Sequence, residues 1–338
     1  MAYSTIPKGS LYMNPKIYTG TGSSNAITGV GFQPDWTWIK RRNGTNGHNL
    51  YDVLRGVTKT INSATTAAES TSGSGLTAFG TDGFTVVSDG DVNASGGTYA
   101  SWNWLANGTG SANTAGSINS TVSANTTSGF SIVSYTGNGG STPKTVGHGL
   151  GVAPKMIIIK PTNLTYDWMT YNENVGATKG MCLNTTQAPF TSSNFNDTAP
   201  TTSVFSVKNN ATNETNGTYI AYCFADVQGF SKMGSYTGNA NANGPFVYTG
   251  FKPSFVIIKR TNLANDWLTQ DNKRYPINET VAKTLKPNSA LAEGDTGNLD
   301  ILSNGFKLRS TGTNTNASGG TYIYMAFAEN PFVATSGT

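Results

Sequence analysis

The heptapeptide NASGGTY stands at Asn93–Tyr99 and again, unchanged, at Asn316–Tyr322. A looser copy, NETNGTY, occupies Asn213–Tyr219. In each, Gly-Gly-Thr or Asn-Gly-Thr supplies a tight turn, because Gly and Asn take left-handed backbone geometry at little cost. A strand follows. TYIYMAFA puts Ile323, Met325 and Phe327 on one face, and the same alternation groups Ala100, Trp102 and Trp104, and Ile220, Tyr222 and Phe224. A turn feeding a half-apolar strand, met three times, predicts a repeated β unit.

Working outward, the other landmarks keep their order. Each copy opens with Tyr-Thr-Gly (Tyr18, Tyr135, Tyr236), and a proline follows (Pro34, Pro154, Pro253). Next comes an apolar run closed by a lysine: DWTWIK, KMIIIK and SFVIIK, ending at Lys40, Lys160 and Lys259. These β-branched and aromatic runs predict central strands, each lysine carrying its head to solvent. An acid beside an aromatic follows, as Tyr51-Asp52, Asp167-Trp168 and Asp266-Trp267, then Phe84, Phe205 or Phe306. A repeat of roughly 100 residues is too long for a solenoid and suits a small β domain. The predicted fold is all-β: three tandem antiparallel β-sandwich units of jelly-roll type, at 1–106, 130–230 and 231–338. The polar stretch 107–129 is predicted as a linker or extended loop.

Composition agrees with that class. Charged residues make up only 12%, while 15 Tyr, 15 Phe and 6 Trp are too many for a disordered chain. A net charge of +4 without a basic cluster longer than Lys40-Arg41-Arg42 argues against nucleic acid. No apolar run is long enough to span a bilayer, and the stretch MAYSTIPKGSLYMN has no export-signal pattern, so a soluble protein made in the cytoplasm is expected. Cys182 and Cys223 show neither a disulfide framework nor metal-ligand spacing.

Catalytic material is sparse, and no catalytic, cofactor or metal residue is assigned. His48 and His148 occupy unmatched positions in the repeat; a loop or structural role is expected for His148 and solvent exposure for His48. Cys223 reads as a packed thiol. Asp89, Asp91 and Asn93 begin like a calcium loop, but Ala94 and Ala100 stand where Gly and Glu are required. Asp52, Asp167 and Asp266 recur once per copy, without the paired carboxylates that glycosidase chemistry needs. With Trp168 and Trp267 as exposed ring platforms, these five residues are the candidate glycan-binding set.

The blocks YTGTGSSNAITGVGFQPDWTWIK, GHGLGVAPKMIIIK, GPFVYTGFKPSFVIIK and NASGGTYIYMAFAENPF resemble a family of virion proteins of marine tailed phages, including those of cyanobacteria and pelagic bacteria, over residues 12–332. The resemblance implies a structural, non-enzymatic protein exposed on the virion, oligomeric there, with other tail or capsid proteins as partners. It implies tail-fibre association and adhesion to host-surface glycans; capsid decoration and glycan degradation are the alternatives. It carries over no catalytic residues or cofactors.

Overall fold

The computed structural model describes residues 4–139, 142–274, 278 and 283–331, so residues 1–3 and 332–338 of the expected first and third units lie outside the described residues. The described chain is an assembly of antiparallel sheets, as the sequence predicts. The three sequence copies share one strand order. In copy 1 it runs Met13–Thr19, Thr98–Trp104, Trp36–Arg41, His48–Asp52; in copy 2, Phe130–Thr136, Thr218–Phe224, Met156–Pro161, Met169–Asn172; in copy 3, Ser231–Thr237, Thr321–Pro331, Phe251–Arg260, Trp267–Asp271. The strand after the heptapeptide is therefore central in each sheet, between the Tyr-Thr-Gly strand and the lysine-ended strand.

The heptapeptide recurs because it ties off this central strand. Tyr18, Tyr135 and Tyr236 pair directly with Tyr99, Tyr219 and Tyr322, their rings stacked at 5.0, 4.9 and 5.0 Å. The Tyr99 hydroxyl accepts from Ala94 N–H at 2.7 Å and donates to Gly90 O at 2.8 Å. Tyr219 does the same with Glu214 and Asn210, and Tyr322 with Ala317 and Thr313. Asn93, Asn213 and Asn316 accept the N–H of the residue after each Tyr-Thr-Gly, at 3.0, 3.1 and 2.8 Å. The glycine of Tyr-Thr-Gly is required by close approach: a Cβ on Gly20, Gly137 or Gly238 would lie 2.2–2.4 Å from a main-chain oxygen of the heptapeptide.

The large residues of that strand do not face a core private to each copy. Ala100, Trp102 and Trp104, Ile220, Tyr222 and Phe224, and Ile323, Met325 and Phe327 all belong to one cluster shared by the three copies. Trp36 stacks on Tyr222 at 4.3 Å, Trp104 meets Phe327 edge-on at 5.7 Å, and Phe224 meets Phe327 at 5.9 Å. Such ring pairs contribute about 0.5–1.5 kcal/mol each beyond area burial. In copies 1 and 2 the opposite sheet faces carry smaller cores, while in copy 3 Val247, Phe306 and Leu308 on that side join the shared cluster. Ile39, Tyr51 and Tyr99 pack with Ile27, Phe84 and Val86 of a three-stranded sheet in copy 1. In copy 2, Ile157, Tyr219 and Cys223 pack with Val146, Phe205 and Val207 of a two-stranded one. Each main sheet is thus buried on both sides, which explains why its strands read as nearly continuous apolar runs.

Two expectations need correction. The stretch 107–129 is not a plain linker, since Ser111–Asn113 and Ser120–Asn125 form strands that extend the second sheet to eight. Val122 is buried there together with Ser120 and Ser123, and a strand that buries small polar residues has the composition of a loop. The lysines do not reach solvent either: Lys40, Lys160 and Lys259 are fully buried. Lys160 Nζ shares its three N–H groups among four carbonyl oxygens, those of Thr66, Pro161, Leu164 and Tyr166, at 2.9–3.1 Å. Lys259 Nζ donates to Thr186 O at 2.8 Å and to Asn265 O. A ring of main-chain oxygens replaces the water that the ammonium loses.

Two predictions follow from these contacts. Tyr99→Phe, Tyr219→Phe or Tyr322→Phe leaves two main-chain groups without their partner, so each should lower stability by about 1–3 kcal/mol in urea unfolding at unchanged slope; no loss would refute the clamp. Burial pulls Lys40, Lys160 and Lys259 down to about 8. Above pH 8 the unfolded chain then holds protons the folded chain has released, so stability should rise with pH. The buried thiols of Cys182 and Cys223, pushed up by burial, act oppositely above about pH 9. Urea midpoints should therefore climb most steeply from pH 8 to 9, and a flat profile would show the lysines to be unperturbed.

Candidate functional site

Strand register separates the five candidate residues into two unrelated sets. Lys40 pairs with His48 and Lys259 with Trp267, so Trp168 and Trp267 correspond to His48. Asp52 lies opposite Trp36; its counterparts are Asn172, opposite Met156, and Asp271, opposite Phe255. Asp167 and Asp266 lie just outside their strands. The acid-aromatic pairing seen in the sequence therefore joins positions at opposite ends of a strand. The structure brings none of these acids together as a constellation.

Trp168 and Trp267 are not exposed platforms. Both are fully buried, at 0% and 1% exposure, because they span the seams between copies. Trp168 Nε1 donates to Asn62 O of copy 1 at 2.9 Å, and Trp267 Nε1 to Cys182 O of copy 2 at 3.0 Å. At the third seam His48 faces the Lys286 main chain. His48 is also buried, contrary to expectation, and its Nδ1 accepts from Trp38 Nε1 at 2.8 Å, so burial holds the ring well below the usual histidine range. His148 has the structural role expected, with Leu150 N–H donating to Nδ1 and Nε2 3.1 Å from Thr201 O. Cys223 is a packed thiol in the second core. Asp167 accepts from Asn184 at 2.7 Å. Asp266 accepts from Asn288 and pairs with Lys286 at 2.7 Å; burial pushes its carboxyl up, but these partners and Lys259 hold it below the usual range.

Asp52 belongs to a charge set the sequence reading missed. Arg55 Nε lies 2.6 Å from Asp52 and Nη1 3.2 Å from Glu69, with Asp52 fully buried. Copy 3 repeats this as Asp271, Arg274 and Glu293, at 2.6 and 3.0 Å. Each inner acid also accepts a bond from a neighbouring copy: Tyr222 hydroxyl to Asp52 at 2.8 Å, and Trp102 Nε1 to Asp271 at 2.9 Å. In copy 2 the three positions are Asn172, Val175 and Pro189. The residue matching Trp102 and Tyr222 is there Met325, which has no proton to donate. The charges occur where a donor meets them and are absent where none does. The legible signal is Asp-x-x-Arg, at 52–55 and 271–274 against Asn-x-x-Val at 172–175. With its oxygens engaged by an arginine, main-chain N–H groups and a ring donor, such an acid acts as a seam clamp.

Outward-facing space lies elsewhere. A cleft of about 490 Å³ runs along the seam of copies 1 and 2, with Arg55 and Glu69 on one wall and Ser120, Ser134, Thr136 and Thr218 on the other. The supposed linker supplies part of that wall. Two clefts of about 390 Å³ lie where copy 2 meets copy 3, both bordered by Tyr248, an exposed residue the sequence reading did not single out. Among the described residues no group of three His, Cys, Asp or Glu is placed to hold a metal ion, and no helix is long and apolar enough to cross a membrane.

Asn172→Asp tests the seam assignment, because it adds a charge that keeps the Asn174 N–H but has neither an arginine nor a side-chain donor from the neighbouring copy to meet it. It should destabilise the chain by about 3–5 kcal/mol, read from the urea midpoint, with a smaller loss when Val175→Arg is added. An unchanged midpoint would mean that the missing partners are immaterial.

No curated protein is matched by the chain. One family, described as a domain of unknown function (DUF7483), matches residues 8–331 and so takes in all three copies at once. The chain belongs to that family.

Proposed function

We propose that this chain is a structural protein on the surface of a phage particle, associated with the tail and contributing to adhesion to host-surface glycans. The observation that carries the reading is the arrangement of the three copies. Their main sheets close on one aromatic core, with separate clusters on the far sheet faces of copies 1 and 2 and the small sheet of copy 3 joined to the shared core. A body of this kind presents its surface rigidly, and rigidity limits the entropy lost when a ligand binds. The hydroxyl-lined seam cleft, walled by Ser, Thr and one Arg-Glu pair, suits a neutral polar ligand such as a sugar chain. The engagement of Asp52, Asp167 and Asp266 with fixed partners favours binding over bond cleavage. The likeness to virion proteins of marine tailed phages supplies the particle context.

Antibody raised to the recombinant chain, applied with gold label to purified particles of a phage that encodes it, tests the placement. Label at the tail is the expected result. Label spread over the head would make the chain a decoration protein, and unlabelled particles from a stock whose lysate contains the chain would overturn the reading.

A further inference from the structure

We infer that the third copy carries a carbohydrate-binding subsite built on Phe246 and Tyr248, an inference that rests on the adhesive reading above. The two residues lie on the strand Phe246–Tyr248, at the edge of the small sheet of copy 3. Between them Val247 is buried against Phe306, its register partner, while Phe246 and Tyr248 are 45% and 48% exposed. Side chains two apart on a strand share a face, at a spacing of roughly 6.5–7 Å. The strand thus presents two rings side by side.

The rings are not needed for the fold, and the other copies show it. Register aligns Val247 with Val146 and Ile27, each opposite the recurring phenylalanine. The flanking positions are Thr145 and Gly147 in copy 2, and Ala26 and Thr28 in copy 1. The same strand therefore forms without aromatics twice over. Exposed rings oppose solubility, so their presence in one copy alone points to a use outside folding.

The surroundings identify the ligand class. Tyr248 borders both clefts. Lys232 and Asn174 line the first, Gln228, Ser231 and Thr249 the second. Lys232 Nζ lies 5.6 Å over the Tyr248 ring and donates to Tyr248 O at 3.3 Å, so an ammonium stands beside the ring. Flat apolar rings beside amide, hydroxyl and ammonium groups match a pyranose, which offers an apolar C–H face and a rim of hydroxyls. A protein partner fits less well. A stable interface buries about 1,600 Å² around an apolar centre, whereas two rings between polar clefts form a far smaller patch.

The test uses the full chain on an array of neutral and acidic oligosaccharides, followed by calorimetric titration with the strongest ligand found. Phe246→Ala with Tyr248→Ala should weaken binding at least tenfold. Leucine at both positions, which keeps apolar volume but removes planarity, should weaken it comparably. Leu263→Ala, at an exposed residue away from the strip, should leave it unchanged, and urea midpoints of all variants should match the parent. If the parent binds a glycan and both double variants bind as well, the subsite is wrong while the adhesive reading stands. If the parent binds no glycan, the adhesive reading fails and takes the subsite with it.

Discussion

Everything in this molecule depends on the two-sided burial of the three main sheets. A sheet covered on one face can stand alone with its other face in water, but here the second faces carry Trp36, Trp102 and Trp104, Tyr222 and Phe224, and Phe255 and Phe327. Fully burying such a side chain contributes about 1.5–3 kcal/mol, and separating the copies would return most of it to water. The copies are repeats in sequence and one body in energetic terms. A single family profile covering residues 8–331 is consistent with that unity.

Around the core, the repeat departs from its own pattern in ways that make chemical sense. The Asp-Arg-Glu set of copies 1 and 3 becomes Asn-Val-Pro in copy 2, where Met325 replaces the ring donors. Changing one member alone would leave a charge buried without compensation. The seam residues follow the same logic: Trp168 and Trp267 donate to equivalent carbonyls, while the first copy places a neutral histidine there. Repetition preserves the shape of the seams, and the exceptions record which neighbour each copy meets.

How much of this could be read from the sequence depended on whether a feature was local. The heptapeptide was legible because a turn, a tyrosine and an alternating strand lie within a dozen residues. The all-β class and the shared order of landmarks followed from it. The lysines were misread because a strand-ending lysine snorkels in most proteins, whereas here the loop after the strand curls back to offer the carbonyls of Pro161, Leu164 and Tyr166, and copy 1 closes over Lys160 with Thr66 O. Asp52 was grouped with Asp167 and Asp266 because neighbour identity stood in for register, and register is fixed by pairing with Trp36 across the sheet. Phe246 and Tyr248 gave no signal at all. Their alternation with Val247 marks a strand, but which face meets water is decided by Phe306, some 60 residues later.

The ring of seams has a mechanical consequence. Copy 1 touches copy 2 through Trp168 and Tyr222, copy 2 touches copy 3 through Trp267, and copy 3 returns to copy 1 through Trp102 and through the Arg42–Glu293 pair at 2.9 Å. In an open row of domains, a pull between two neighbours strains one junction, which can peel while the others rest. In a closed ring the same pull loads one junction directly and the other two in series. No junction can open alone, and tension enters the shared core as a whole.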